Sequence, residues 1–511
     1  MNKKISEIGY EEQTYLATIA KGAGVDIVGK IVNTGLRYGF VIMLARFLGA
    51  HDMGIFFLSV VIINFLGVLS RLGLESGVLK YAAIYNADHD RARLRGIIIR
   101  AFQIAGIASL LFGGLVFIGA DSLAALVFKK PELAAVLRIM SIALPFSTIM
   151  FIANSTTQAF HTLKYRVIVE SITNPVLNMV LGFILLYMGY GVKQVAYVYV
   201  AGFIVCGFLS IFYVVRLFPR LLDNSLKPLY ETRSWIRFSS PLLLVNFLGM
   251  FMLWTDTLMI GYFRSGAEVG IYNTVVRTAF FINFVIISFT SIFAPRISEL
   301  YHKRKISELG SLFKIVTKWI ITLSTPVFVI IMVAGKSILT IFGSEFTAGL
   351  LCLLILSSAH FFNAFVGPVR YILMMSEKEQ LVMIDTFLIS MINLILNIFF
   401  IPRYGINGAA IATAISIILI NLLMLYQVYT HLKVQPFDLT LWKPLISGGL
   451  VLLCVMFIQS RAGIVSLHID LLYKTVISVL LYGVTMRIFG FSERDNILIQ
   501  AMKAKITSGK Y

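Results

Sequence analysis

Four polar residues in the first long apolar run have a spacing that can form a binding surface. Asp26, Lys30, Asn33 and Arg37 follow the i, i+4, i+7, i+11 rule, so they lie on one face of a helix. Arg37 lies about twelve residues into the run, roughly 18 Å at 1.5 Å per residue. A guanidinium stays protonated there, so it needs an anion, a carboxylate or water as its partner. We therefore expect Arg37, with Lys30 and Asn33, to line an anion-binding cavity. A neutral Asp26–Lys30 pair is the alternative for Lys30.

The second apolar run places Asn64, Arg71 and Glu75 on one helical face. Arg71 and Glu75 are i, i+4 neighbours of opposite charge, a spacing that favours an ion pair. The pattern predicts that these two charges neutralise each other and that Asn64 faces the same cavity as Arg37.

A later run carries Asn273 and Arg277 on one face, with Arg277 roughly 10 Å from the end of its helix. Arg277 is therefore a second candidate for an anion-binding cavity wall, together with Asn273. Asp256, in the preceding run, is its alternative salt-bridge partner. Asp256 and Asp26 are the candidates for ion coupling or a salt bridge.

No residue pattern indicates an enzyme. The sequence contains no nucleophile elbow, P-loop, HExxH or EF-hand motif. Cys206, Cys352 and Cys454 are far apart and lack metal-ligand spacing, and His360 is expected to be a hydrogen-bonded packing residue. We predict no catalytic residue, metal or cofactor, so any work that the protein performs would have to draw on a H⁺ or Na⁺ gradient, the membrane potential or a coupled downstream reaction.

The composition indicates that these residues lie on membrane-spanning helices. The 511 residues are 58% hydrophobic and only 14% charged, with a mean hydropathy of +0.87, whereas about a quarter of the residues of a soluble chain are charged. Since roughly 20 apolar residues cross a bilayer core of about 30 Å as a helix, the chain is predicted to be an all-α polytopic membrane protein. Fourteen runs qualify: 25–47, 54–75, 97–119, 133–160, 167–188, 194–217, 238–262, 270–293, 316–335, 349–373, 381–401, 407–430, 444–460 and 468–490.

The basic residues test this topology. With both termini in the cytoplasm, the inside segments hold 28 Lys and Arg residues and the outside loops hold 7, which is the expected positive-inside bias. The net charge of +19 is spread over many short loops, so we attribute it to topology and anionic lipid and expect no binding to nucleic acid.

Three segment pairs indicate an internal duplication. Asp52–Phe56 is similar to Glu268–Tyr272, Tyr190–Ala196 to Tyr404–Ala410, and Lys164 corresponds to Lys378, at shifts of 216, 214 and 214 residues. Six spans per repeat give two parallel lobes, the arrangement of alternating-access transporters. The predicted organisation is a cytoplasmic segment 1–24, an N-lobe 25–217, a cytoplasmic linker 218–237, a C-lobe 238–432, and two extra helices with a cytoplasmic tail at 433–511.

Several motifs resemble bacterial polysaccharide flippases, the Wzx-like branch of the multidrug/oligosaccharidyl-lipid/polysaccharide exporter superfamily. They cover most of the chain between about 30 and 430 and identify a superfamily better than a substrate. The matching segments are Leu44–Gly49 with Asp52–Gly54, Asp256–Gly261 with Val269–Tyr272, Ala294–Ser298, Asn393–Asn397 with Pro402, and Tyr404–Thr413.

The resemblance implies two six-helix lobes around a V-shaped central cavity in the inner (cytoplasmic) membrane. It also implies translocation of undecaprenyl-diphosphate-linked oligosaccharide from the cytoplasmic to the outer leaflet, for O-antigen or capsule export, and contact with the polysaccharide polymerase or export machinery. The cationic residues Lys30, Arg37 and Arg277 suit a diphosphate.

Three other functions are considered. A lipid II flippase also has fourteen spans and a cationic cavity, whereas a cation-coupled multidrug antiporter of the same superfamily would need an acidic cavity. A membrane-embedded glycan polymerase or ligase would need a large outside loop, and the longest here has about 13–15 residues.

Overall fold

The computed structural model of the protein describes residues 2–223, 225–461 and 467–490. Side chains are described within these ranges except at 2–28, 30, 31, 252, 291, 292, 460, 461 and 467–469. All regular elements in the described ranges are helical: α-helices joined in places by short 3-10 or π-helical segments. In chain order the α-helices are α1 (Asn2–Arg71), α2 (Leu74–Ala87), α3 (Arg91–Ser122), α4 (Glu132–Ser141), α5 (Ala143–Ala159), α6 (Lys164–Arg166), α7 (Asn174–Tyr187), α8 (Val192–Leu217), α9 (Thr232–Phe263), α10 (Gly266–Ala279), α11 (Phe281–His302), α12 (Ile306–Thr340), α13 (Leu350–Val366), α14 (Val369–Met375), α15 (Glu379–Leu432), α16 (Trp442–Arg461) and α17 (Leu467–Phe489).

The helices are long and apolar enough for a multi-pass membrane protein. In the described ranges nine helical segments could each cross a bilayer, and three pairs of helices bent by more than 40° raise the number to twelve. Two of the nine, Val32–Arg71 and Glu379–Leu432, have 40 and 54 residues, about twice the length that one crossing needs. Counting each of these as two crossings gives the fourteen spans that hydropathy predicts.

A glycine divides each of the two long helices. Gly49 has φ 75° and ψ 176°, and Gly405 has φ 57° and ψ −134°. A side chain rarely tolerates such positive φ values, so glycine is required for the chain to turn between consecutive crossings without a long loop. Both glycines fall between the predicted spans.

The duplicated segments occupy similar positions in the fold. Helix α8 begins at Val192, directly after the extended Gly191, and the second part of α15 begins after Gly405. Lys164 begins α6 and Lys378 precedes α15. The sequence matches therefore fall where new helical segments begin, as expected for two copies of one helical pattern.

By their internal contacts the residues form two units, Met1–Gly270 and Ile271–Tyr511. The core of the first unit includes Val78 on α2, Ile98 on α3, Ile152 on α5, Val214 on α8 and Trp235 on α9, all buried. The helix α9 belongs to this unit and packs against α1 and α2. The lobe boundaries inferred from the duplication remain a prediction.

The second unit has two buried clusters. One joins Leu309 and Phe313 of α12 to Val369 of α14 and Val428 of α15, and the other joins α12 to α16 and α17. Polar contacts add to the second cluster, because the Asp470 carboxylate of α17 accepts a hydrogen bond from Ser337 of α12 at 2.5 Å.

Large apolar side chains cover the outside of both units. Ile118 and Leu126 in the first unit are 82% and 78% exposed, and Leu453 in the second is 65% exposed. In a water-soluble protein such residues would form an aggregation-prone surface, whereas a bilayer solvates them.

Candidate ligand-binding surfaces

Arg37 lies on an exposed polar face of α1. Its Nε donates a hydrogen bond to Asn33 Oδ1 at 2.6 Å, one helical turn away. In the described part of the chain no carboxylate forms an ion pair with Arg37. Gly49 follows twelve positions later, so Arg37 lies about 18 Å from the end of this helical segment, near the middle of a bilayer core. The remaining guanidinium donors can therefore reach a ligand or water.

The predicted neighbours Asp26 and Lys30 have side chains outside the described residues. Whether they pair with each other or face a cavity remains a prediction. The structure brings together Arg37 and Asn33 of the predicted group.

Arg71 and Glu75 form the predicted ion pair, with Arg71 Nε 2.9 Å from Glu75 Oε2. The Arg71 guanidinium also lies 4.3 Å from the centre of the Phe151 ring. Asn246 of α9 donates to Glu75 Oε1 at 3.0 Å, so the pair also joins α2 to α9. Asn64 is half-buried two turns earlier on α1. The prediction that the two charges neutralise each other is confirmed.

The other three predicted residues lie in different parts of the fold. Asp256 is half-buried on α9 of the first unit, whereas Asn273 and Arg277 lie on the part of α10 that belongs to the second unit. Asn273 is only 4% exposed, and its role as a cavity residue remains a prediction. Arg277 is half-buried, and its role as a cavity residue remains a prediction.

Polar side chains also meet inside the second unit. Asn283 and His360 are joined by a 2.8 Å hydrogen bond, and Asn363 donates to Asn283 at 3.1 Å. The prediction of a hydrogen-bonded packing role for His360 is confirmed. On α15, Asp385 is 3% exposed and accepts a hydrogen bond from Gln427 at 3.0 Å.

A cavity between α2 and α9 was missed by sequence reasoning. It has a volume of about 580 Å³ and is lined by Tyr81 of α2 and by Arg233, Ser234, Arg237 and Phe238 of α9; we call it the α2–α9 cavity. The i, i+4 spacing of the two arginines was visible in the sequence, but their charge was attributed to topology alone. The two helices are more than 140 residues apart in sequence, so only folding reveals that Tyr81 lies beside these arginines.

The residues that the structure describes contain no group of three or more His, Cys, Asp or Glu side chains placed to hold a metal ion.

Comparison with known proteins agrees with this architecture. The model of the polysaccharide biosynthesis protein family matches residues 19–301, and the MatE model matches residues 241–399. The probable low-salt glycan biosynthesis flippase Agl15 of Haloferax volcanii is 24% identical over 405 residues, which cover 76% of this chain and 79% of Agl15. The succinoglycan biosynthesis transport protein ExoT of Rhizobium meliloti is 24% identical over 332 residues, which cover 64% and 63% of the two chains.

Solved structures share the fold. The lipid II flippase MurJ, in an inward closed conformation, aligns with a TM-score of 0.74 at 18% identity, covering 92% of this chain and 99% of MurJ. An inward-facing multidrug resistance MATE transporter aligns with a TM-score of 0.66 at 15% identity, covering 78% and 94% of the two chains. At these identities the alignments establish the fold alone. The family match extends over more than half of the sequence, and the chain therefore belongs to the polysaccharide biosynthesis protein family.

Proposed function

We propose that this protein is a flippase that moves a polyprenyl-diphosphate-linked oligosaccharide from the cytoplasmic to the outer leaflet by alternating access. The observation that carries the proposal is the exposed guanidinium of Arg37, near the middle of an apolar helix and without an ion-pair partner among the described residues. A charge at that depth is expensive unless it faces water or a ligand, and it is then usually functional.

The chemistry of Arg37 fits the head group of such a lipid. A diphosphate is anionic, and a guanidinium binds phosphate oxygens through two parallel hydrogen bonds. Asn33 accepts a hydrogen bond from Nε, which fixes the guanidinium plane and leaves the terminal nitrogens as donors. The polyprenyl tail would remain in lipid while the polar head group crosses.

The names of the relatives support the proposal that the cargo is a glycan precursor. Agl15 and AglR of Haloferax volcanii are both named as flippases, and ExoT is named as a transport protein of succinoglycan biosynthesis. Their polar cargo would require a polar path through the membrane, which an exposed Arg37 helps to provide. A multidrug antiporter for organic cations is disfavoured because this part of α1 is cationic.

The bias of 28 inside to 7 outside basic residues supports a cytoplasmic-membrane location with both termini inside.

Asp256 remains the candidate for H⁺ or Na⁺ coupling. Contact with the polysaccharide polymerase or export machinery is also part of the proposal.

The test uses cells that lack this protein, complemented with wild-type or variant genes. Lipids are extracted and identified by mass spectrometry, and an impermeant reagent assigns them to a leaflet. Without the protein we expect a complete polyprenyl-diphosphate oligosaccharide to accumulate in the inner leaflet. Its accumulation in the outer leaflet, or no change in these lipids, would refute the proposal.

The matched variants are Arg37→Gln and Arg216→Gln. Arg216 is exposed at the end of α8, so its substitution removes the same charge from a different place. Charge-assisted hydrogen bonds contribute about 1.5–3 kcal/mol, so export by Arg37→Gln should fall roughly 10- to 100-fold at equal protein level. Export by Arg216→Gln should match the wild type.

A further inference from the structure

The α2–α9 cavity contains positive charge that the fold does not neutralise. Arg233 and Arg237 lie one turn apart at the start of α9 and are exposed. In the described part of the chain neither side chain makes a hydrogen bond or an ion pair. Two guanidinium groups therefore face the cavity with their donors unused.

The acidic residues near the start of α9 are engaged elsewhere. Glu231 accepts from Arg93 at 2.8 Å and from the Tyr85 hydroxyl at 2.9 Å. Asp90 pairs with Arg93 at 3.2 Å. The local carboxylates thus stabilise the α2–α3 turn and leave the cavity with a net positive charge.

A third cation lies at the rim. The ammonium of Lys80 is 4.1 Å from the centre of the Phe238 ring and 5.5 Å from that of Tyr81. The two rings meet edge to face, with centres 5.8 Å apart. These contacts hold Lys80 beside the cavity through cation–π attraction, and the rings provide a rigid apolar wall.

The walls of the cavity are fixed by close helix packing. Ser239 and Trp235 of α9 are 0% and 1% exposed, and they lie against α2, where a Cβ at Gly77 would overlap the Ser239 hydroxyl. The cationic side chains therefore project from two helices, α2 and α9, that pack closely against each other. Close packing fixes the backbone that carries these cations, and a bound ligand would order the arginine side chains.

We propose that the α2–α9 cavity is a binding site for the phosphate group of a membrane lipid. Arginine binds phosphate oxygens in pairs, and the α2–α9 cavity is an open cleft of about 580 Å³, which has room for a phosphate group. The site lies where the apolar part of α9 begins, a level at which a lipid head group would meet the protein. The phosphate would belong either to the diphosphate of the lipid-linked glycan, which rests on the proposed function and would make the cavity a loading site, or to an anionic phospholipid.

The test compares full-length wild-type protein with the variant Arg233→Gln/Arg237→Gln. The control is Arg216→Gln/Arg220→Gln, which removes two exposed positive charges from the end of α8 and the segment after it. In the first experiment each protein is placed in nanodiscs of phosphatidylcholine and titrated with farnesyl diphosphate. In a separate experiment native mass spectrometry measures how much phosphatidylglycerol each protein retains.

The two sources of phosphate give different results. If the cavity binds the diphosphate, Kd for farnesyl diphosphate should rise at least tenfold in the cavity variant and remain unchanged in the control. If it binds a phospholipid, the cavity variant alone should lose retained phosphatidylglycerol. Either result supports a phosphate site. The proposal would be overturned if wild type, cavity variant and control bound farnesyl diphosphate with the same Kd and retained the same amount of phosphatidylglycerol. It would also be overturned if the cavity variant and the control lost binding to the same extent.

The binding experiment in nanodiscs tests the cavity independently of the transport experiment in cells. Ligand binding in nanodiscs does not require flipping, so a phosphate site can be detected even if the cargo is not a glycan. If the inner-leaflet lipid accumulates as proposed but the cavity variant binds both ligands normally, only the cavity inference fails.

Discussion

The ion pair between Arg71 and Glu75 bridges the end of α1. The two side chains approach to 2.9 Å although two of the three residues between them, Leu72 and Gly73, have positive φ. The contact therefore joins the last residue of α1 to the first turn of α2 across a break in the helix. Asn246 adds a hydrogen bond from α9, so the pair connects three helices.

Removing one member of this pair should destabilise the first unit. The Arg71 and Glu75 side chains are only 12% and 23% exposed, and breaking a buried pair typically costs about 3–5 kcal/mol because the remaining charge stays buried. We expect Arg71→Met to lower the unfolding temperature in detergent strongly. Arg71→Met/Glu75→Gln should recover part of the loss, and a double-mutant cycle measures the coupling. Additive losses would contradict the pairing.

Lys130 should stabilise the end of α9. Its ammonium donates to the backbone carbonyls of Phe128 at 3.0 Å, Gly261 at 2.5 Å and Arg264 at 2.7 Å, and burial lowers its pKa. The Gly261 carbonyl belongs to the last turn of α9, where the helix offers no donor. Lys130→Met should cost about 1–3 kcal/mol for each carbonyl that is left buried and unsatisfied.

The neighbouring Lys129 provides the control, because it is exposed and its side chain makes no hydrogen bond to another described residue. Lys129→Met should change the free energy of unfolding by less than about 0.5 kcal/mol. Equal thermal stability of the two variants would show that the three carbonyls do not depend on Lys130.

Tyr85 should make stability depend on pH in the alkaline range. Burial, followed by its hydrogen bond to Glu231, raises the pKa of Tyr85 from 10.0 to about 12. A group with a raised folded-state pKa stabilises fully below its unfolded pKa, and this contribution is lost as pH rises through the folded pKa. The difference in stability between wild type and Tyr85→Phe should therefore be constant below about pH 10 and decrease toward about pH 12. A difference that is independent of pH would refute this assignment.

Gly77 should tolerate no larger residue. An added Cβ would overlap the Ser239 hydroxyl on α9, whereas at Gly114 on α3 an added Cβ would have no neighbour within 4 Å. Gly77→Ala is expected to cost about 1–3 kcal/mol through overpacking, and Gly114→Ala should gain up to about 1 kcal/mol from helix propensity. Thermal unfolding of both variants measures the contrast. If Gly77→Ala matched Gly114→Ala in stability, α2 and α9 would be less closely packed than the structure indicates.

The sequence by itself determined the helical spans, because an apolar run in a bilayer must satisfy its backbone hydrogen bonds within its own helix. It also placed Asn33 and Arg37 on one helical face and paired Arg71 with Glu75 by their opposite charges and short separation, although the structure makes that contact across a break between α1 and α2. Gly49 and Gly405 fall between predicted spans for the same reason, since hydropathy locates the turns before any packing is known.

Tertiary structure alone decided the contacts between distant helices. Asn246 reaches Glu75 across 171 positions, and Lys130 reaches Gly261 across 131. The α2–α9 cavity likewise exists only because close packing at Gly77 places Tyr81 beside Arg233 and Arg237. Hydropathy specifies that each helix is apolar but not which helix it packs against, since many apolar faces bury similar area. The choice of partner depends on side-chain shape and on the pairing of polar groups, and these are fixed only when the helices assemble.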